Sequence, residues 1–166
     1  MRGGLRFHRS GSGEPHARET AGFTLVELMI VIAILATLSS LAVPIYRGAR
    51  ESARETVVIR EMTLLQNEID LYLLFNGSLP ETLADLTDFG DLQDPWGNPY
   101  VYLNFATIKG KGEKRKDHFL VPLNSTYDLC SMGPDGKTAG PLTAKASRDD
   151  IIRANDGEYI GPASRY

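Results

Sequence analysis

The chain has 166 residues, 18 basic and 21 acidic, with a formal charge of −3, so it is long enough for one ordinary domain. The first 22 residues hold Arg2, Arg6, Arg9 and Arg18 against Glu14 and Glu19, or +2, which leaves −5 on the remainder and no basic face for nucleic acid. A single cysteine, Cys130, excludes an internal disulfide, so packing or some other staple must hold the fold.

Between Leu28 and Val43 no residue is charged, and a looser apolar stretch extends from Phe23 to Tyr46. About 20 helical residues cross a bilayer core, so this segment is long enough to span. Arginines flank it on both sides (Arg47, Arg50, Arg54 and Arg60 follow), so charge does not set its orientation. Glu27 interrupts its start. A carboxylate near the bilayer core costs a few kcal/mol or more and therefore points to function. One reading is a secretory signal peptide cut near Ser40-Leu41-Ala42. The length of the run, the position of Glu27 and the continuation of the pattern into Pro44, Ile45 and Tyr46 argue against it.

The stretch GFTLVELMIVIAILATLSSLAVPIY, residues 22–46, closely resembles the N-terminal signature of type IV pilins and type II secretion pseudopilins. The resemblance implies a leader over residues 1–22, cleavage between Gly22 and Phe23 by a prepilin peptidase on the cytoplasmic side, and N-methylation of Phe23. The apolar helix 23–46 would then stay in the mature protein. Cleavage frees a positive amine at Phe23 about one helical turn from Glu27, and opposite charges attract far more strongly in apolar surroundings than in water. The pairing lies either within one chain or, as the resemblance implies, between Glu27 and the Phe23 amine of a neighbouring subunit. The second arrangement sets the axial register of a filament, a use of buried polar groups known from coiled coils. Many relatives have a glycine where this chain has Ala36. Pro44 removes a backbone donor, so any opening of the helix is expected near Pro44.

Beyond Pro44, Val58, Met62, Leu65, Ile69 and Tyr72 recur at helical spacing, with Glu51, Arg54, Glu55, Arg60 and Asp70 on the other side. Val57, Leu64, Leu71 and Leu74 widen the apolar stripe, so a small domain is expected to cover this amphipathic half, 47–76. Asn76-Gly77 supplies the stop. One helix from about Thr24 to Phe75 would run ~78 Å. Next, Ser78 with Glu81 suggests a capping box, with Pro80 in the first turn of a short helix ending near Leu86.

The head, 77–166, then reads as a small antiparallel sheet: Tyr100–Phe105, a second strand HFLVPLNS (118–125) after the basic loop KGKGEKRKD (109–117), and a third over 127–133. Trp96 is expected at its edge. The basic loop reads as a solvated hairpin tip or a contact for an acidic partner. Residues 131–161 read mostly as loop. The segments DPWGNPY (94–100) and YDLCSMGPDGK (127–137) resemble the major, G-type pseudopilins of type II secretion. That resemblance implies an α+β pilin fold: a long N-terminal helix with a membrane-spanning first half, packed against a small antiparallel sheet with a C-terminal loop region. It also implies calcium, held by Asp135 and Asp150, with Asp149 as a second choice and the carbonyls of Leu129 or Met132 completing the shell. Calcium takes six to eight hard oxygens, which suits such a loop. Alternatively, Asp135 and Asp156 simply favour glycine turns, and Asp149-Asp150 caps a helix starting at Ile151.

An enzyme is not expected. His118 is the one histidine after Gly22, Cys130 reads as a small core residue, and no phosphate loop or nucleophile elbow occurs. An ordinary type IV pilin would more often carry a cysteine pair near its C-terminus, and a signal-anchored periplasmic protein is a further alternative. The resemblance thus implies an inner-membrane, single-pass subunit with a periplasmic head. It would assemble into a periplasmic filament that drives export of folded proteins. Its partners would be copies of itself, minor pseudopilins, the prepilin peptidase and the inner-membrane assembly platform.

Overall fold

A computed structural model describes residues 22–87, 89–110 and 112–166, so the expected leader lies outside them apart from Gly22. The chain divides into two units between Val43 and Pro44. In the first, helix α1 (Leu25–Asn76) opens on Thr24, whose side-chain oxygen accepts the Glu27 N–H at 3.1 Å while its carbonyl accepts the Leu28 N–H. A threonine in this place satisfies N–H groups that have no partner within the helix. All residues from Gly22 to Val43 are exposed. Pro44 sits inside α1, and its missing N–H deprives the Ser40 carbonyl of its helical donor.

The second unit is the remaining part of α1 packed on a sheet. Val58, Met62, Leu65 and Ile69 are completely buried, as their 4-3-4 spacing requires. They meet Tyr127, Leu129, Ile151, Leu86 and Tyr100 in one apolar cluster. Each such side chain contributes roughly 1.5–3 kcal/mol by leaving water. Tyr72 is half-buried, and Val57, Leu64, Leu71 and Leu74 are exposed, so the widened stripe is not covered by the head. The head wraps one face of the helix only.

The sheet is a four-stranded antiparallel meander in chain order, β1 (Val101–Asn104), β2 (Tyr127–Ser131), β3 (Ile151–Ala154) and β4 (Tyr159–Pro162). Tyr102 pairs with Leu129, Cys130 with Ile152, and Ile152 with Gly161. Both faces are covered, which is why all five residues of β2 are buried. Alternation sends Tyr127, Leu129 and Ile151 toward the helix and Cys130 and Ile152 into a second cluster with Leu123, Leu142 and Ala163.

Several expectations are corrected. The short helix after Gly77 is a single 3-10 turn, Leu83–Asp85, and its capping pair is Thr82 with Asp85, not Ser78 with Glu81. The segment 118–125 is not a strand. The Asp117 carboxylate accepts the Phe119 and Val121 N–H groups at 2.8 Å each and folds it into a turn. Side chain-to-backbone bonds of this kind compete directly with a sheet ladder. The stretch 131–161 is mostly loop as expected, but it also supplies two strands that were not expected, β3 and β4, joined by Asn155–Gly157 with all three φ angles positive. Ile151 therefore begins a strand and no helix is capped there.

Candidate assembly segment and head loops

The N-terminal segment presents an acid on an otherwise apolar surface. Phe23 is 83% exposed, and Leu25, Val26, Leu28, Met29 and Ile30 around Glu27 are all exposed. Among the described residues α1 is the one helix long and apolar enough to cross a membrane, and none of that stretch is buried in protein. Among the described residues nothing covers Glu27.

The head's two sequence motifs lock together through side chains. Asp94 is buried and organises DPWGN: its Oδ1 accepts the N–H groups of Trp96 (3.0 Å) and Asn98 (2.9 Å). Its Oδ2 accepts the Ser131 hydroxyl at 2.6 Å, and the Asn98 amide donates to the Gly133 carbonyl at 2.8 Å. Gly133 has φ +63°, and a Cβ there would collide with the Asp149 carbonyl, so glycine is required in SMGPDG. Trp96 is half-buried against the core rather than merely at the sheet edge, and its indole N–H donates to Glu51 of α1 at 3.0 Å.

The residues considered for a cation separate into different environments. Asp135 is exposed, its Oδ1 accepting the Lys137 N–H, and its own N–H lies 3.3 Å from Asp149 Oδ2. Leu129 is inside β2, and Met132 directly follows it, half-buried. Asp150 is fully buried and forms an ion pair with Arg115, while its Oδ2 also accepts the Thr138 hydroxyl at 2.6 Å. Among the described residues no three carboxylate, imidazole or thiol side chains converge as a metal-ligand set.

Lys109, Gly110, Gly112 and Glu113 of the basic loop are exposed, as a solvated tip requires, but Arg115 from the same loop is not. Its side chain is buried, its N–H donates to Asp128, and its guanidinium also donates to Thr138 at 2.8 Å. Lys114 lies over the Phe105 ring at 3.9 Å, and Lys111 falls outside the described residues. Burial opposes the Arg115 charge, but the anions around it, Asp150 among them, hold it above its ordinary pKa. Burial raises the Asp150 carboxyl against the pull of Arg115 and Thr138, and raises Asp128 against the Asn124 amide and the Arg115 N–H. A second buried cation, Arg153 of β3, stacks over Tyr127 at 3.9 Å and donates to Asn124 and Gln66. Within its run of lysines nothing local distinguishes Arg115, because its partner Asp150 lies 35 residues away.

Residues 18–43 match the prokaryotic N-terminal methylation motif. The type II secretion system core protein G of Escherichia coli (strain K12) is 34% identical over 136 residues, covering 70% of this chain and 83% of the relative. The chain belongs to the type II secretion core protein G family. The core protein G of Dickeya chrysanthemi is 40% identical over 84% of this chain and 90% of its own length, and that of Aeromonas hydrophila 36% identical over 72% and 87%. No solved structure gives a match. DPWGNPY and YDLCSMGPDG, the two head segments that resemble core protein G, are joined in this chain by the Asp94–Ser131 and Asn98–Gly133 bonds.

Proposed function

We propose that this chain is the polymerising subunit of a type II secretion pseudopilus, cut between Gly22 and Phe23, N-methylated at Phe23 and held by residues 23–46 in the inner membrane. The role is structural rather than enzymatic. Subunits leave the bilayer and assemble, with minor pseudopilins, on an inner-membrane platform into a periplasmic filament that exports folded proteins.

The observation that carries this reading is Glu27, exposed in the first turns of an apolar helix that nothing among the described residues covers. In a bilayer or a helical bundle such a carboxylate calls for a positive partner. The Phe23 amine of the neighbouring subunit, released by cleavage, supplies one and fixes the axial register. A second exposed series agrees with side-by-side helices: Val57, Leu64 and Leu71 recur every seven residues on the face of α1 that the head leaves open. A seven-residue apolar repeat is the pattern of one helix packing along another.

Glu27→Ala tests the reading. Processing at Gly22–Phe23 and membrane retention continue, while the sheared filament fraction empties and export stops. Filaments of normal yield and length from this variant would refute the pairing.

A further inference from the structure

The family resemblance implies a calcium ion in the C-terminal loops, but the side chains here do not fit one. Of the two favoured carboxylates, Asp150 is fully buried and already faces a cation, the guanidinium of Arg115. Asp135 is exposed, turned to its own Lys137 N–H, and belongs to no converging set of three acidic ligands among the described residues. A divalent ion brought to Asp150 would meet a fixed positive charge in contact with the same carboxylate, and like charges at such range repel strongly away from water.

We propose that Arg115 is the resident cation of this head: it closes the loop region from within, so the fold is indifferent to calcium. The geometry has the parts that such a staple needs. Arg115 ties three segments at once: its backbone N–H meets Asp128 of β2, and its guanidinium meets Asp150, at the entrance to β3, and Thr138 of the intervening loop. Thr138 bridges both partners, its hydroxyl donating to Asp150 at 2.6 Å. Two of the three buried side-chain polar atoms without a hydrogen-bond partner among the described residues are Arg115 Nε and Asp150 Oδ1. One is a donor and the other an acceptor on the two residues of the ion pair, the kinds of atom that a side-on arginine–carboxylate fork pairs. A guanidinium suits this place better than an ammonium because it is planar, permanently charged and able to donate to several acceptors together. Lys114 and Lys116 on either side are only half-buried, and Lys114 lies over Phe105 instead.

The test uses the full-length chain in detergent, unassembled, so its outcome does not depend on the filament reading. Thermal unfolding is recorded with excess EGTA, with magnesium and with millimolar calcium, alongside a titration of calcium into chelator-treated protein. The three melting temperatures are expected to coincide and the titration to show no binding. A melting temperature that falls in EGTA and returns with calcium, or stoichiometric calcium uptake, overturns the proposal. Arg115→Met leaves Asp150 buried and unpaired, and is expected to melt about 10 °C or more lower in EGTA. Arg115→Met combined with Asp150→Leu removes both charges and is expected to recover most of that loss. Wild-type stability for Arg115→Met in EGTA, or no recovery in the double variant, also overturns it. Should Arg115→Met fail to fold, the chelator series on the unaltered chain still decides.

Discussion

Replacing Asp94 by alanine should separate the two loops that carry the family's signature. The carboxylate accepts three hydrogen bonds, from the N–H groups of Trp96 and Asn98 and from the Ser131 hydroxyl. A bond to a charged acceptor contributes about 1.5–3 kcal/mol, and an orphaned buried donor costs about 1–3. Ser131 is fully buried and keeps the whole penalty, whereas Trp96 and Asn98 are half-buried and regain part of theirs from water. Because the three bonds share one side chain they do not simply add, and a loss of about 3–5 kcal/mol is expected. At a few degrees per kcal/mol for a chain of this size, that is a fall of about 10 °C or more in melting temperature. Asp94→Asn is the control. Its amide oxygen still accepts the two backbone N–H groups, and only the Ser131 bond must rearrange, for about 1 kcal/mol. Urea or thermal unfolding of the detergent-solubilised chain, followed by circular dichroism, reads both variants. An Asp94→Ala variant within about 1 kcal/mol of the parent, or an Asn variant as damaged as the Ala one, would refute the interlock.

Three further outcomes follow from buried groups. The Tyr127 hydroxyl is buried without a partner among the described residues, so Tyr127→Phe is expected to be neutral or stabilising in thermal unfolding, and a marked loss would contradict the geometry. Burial, despite Arg153 stacked on the ring, pushes the Tyr127 phenol from 10.0 to about 12. A raised folded-state pKa gives stability that is complete below pH 10 and disappears as pH rises toward 12, so the Phe variant should lose less stability than the parent across that window. The Cys130 thiol is buried and raised to about 11, so iodoacetamide at pH 8 should leave the folded chain unlabelled and label it on unfolding in urea; rapid labelling of the folded chain would count against its place in the core.

The helix and its inward face were legible because Val58, Met62, Leu65 and Ile69 repeat at 3.6-residue spacing over many turns. β1 was legible from an aromatic and β-branched run after the Gly97-Asn98-Pro99 turn, and β2 from the largely apolar run Tyr-Asp-Leu-Cys ahead of Gly133. β3 and β4 escaped because Ile-Ile-Arg-Ala places a charge within a fully buried strand, and that charge is tolerable only with Asn124, Gln66 and the Tyr127 ring around it. The Asn155-Asp156-Gly157 turn between them, with its positive φ angles, is itself a hairpin signal. HFLVPLNS failed in the opposite direction: its composition favours a strand, but the Asp117 side chain takes the backbone donors first. Of the candidate sites, the methylation motif was readable because it is contiguous. Arg115–Asp150 was not, because its two residues stand 35 positions apart, with β2 and a loop between them.

The mature N-terminus decides most directly between an assembling subunit and an ordinary secreted protein. Intact mass and N-terminal sequencing of the protein isolated from membranes should give a chain that begins with N-methylated Phe23 and retains the apolar helix. A chain beginning near Val43 would make the helix a discarded signal, and the assembly role of Glu27 would fall with it.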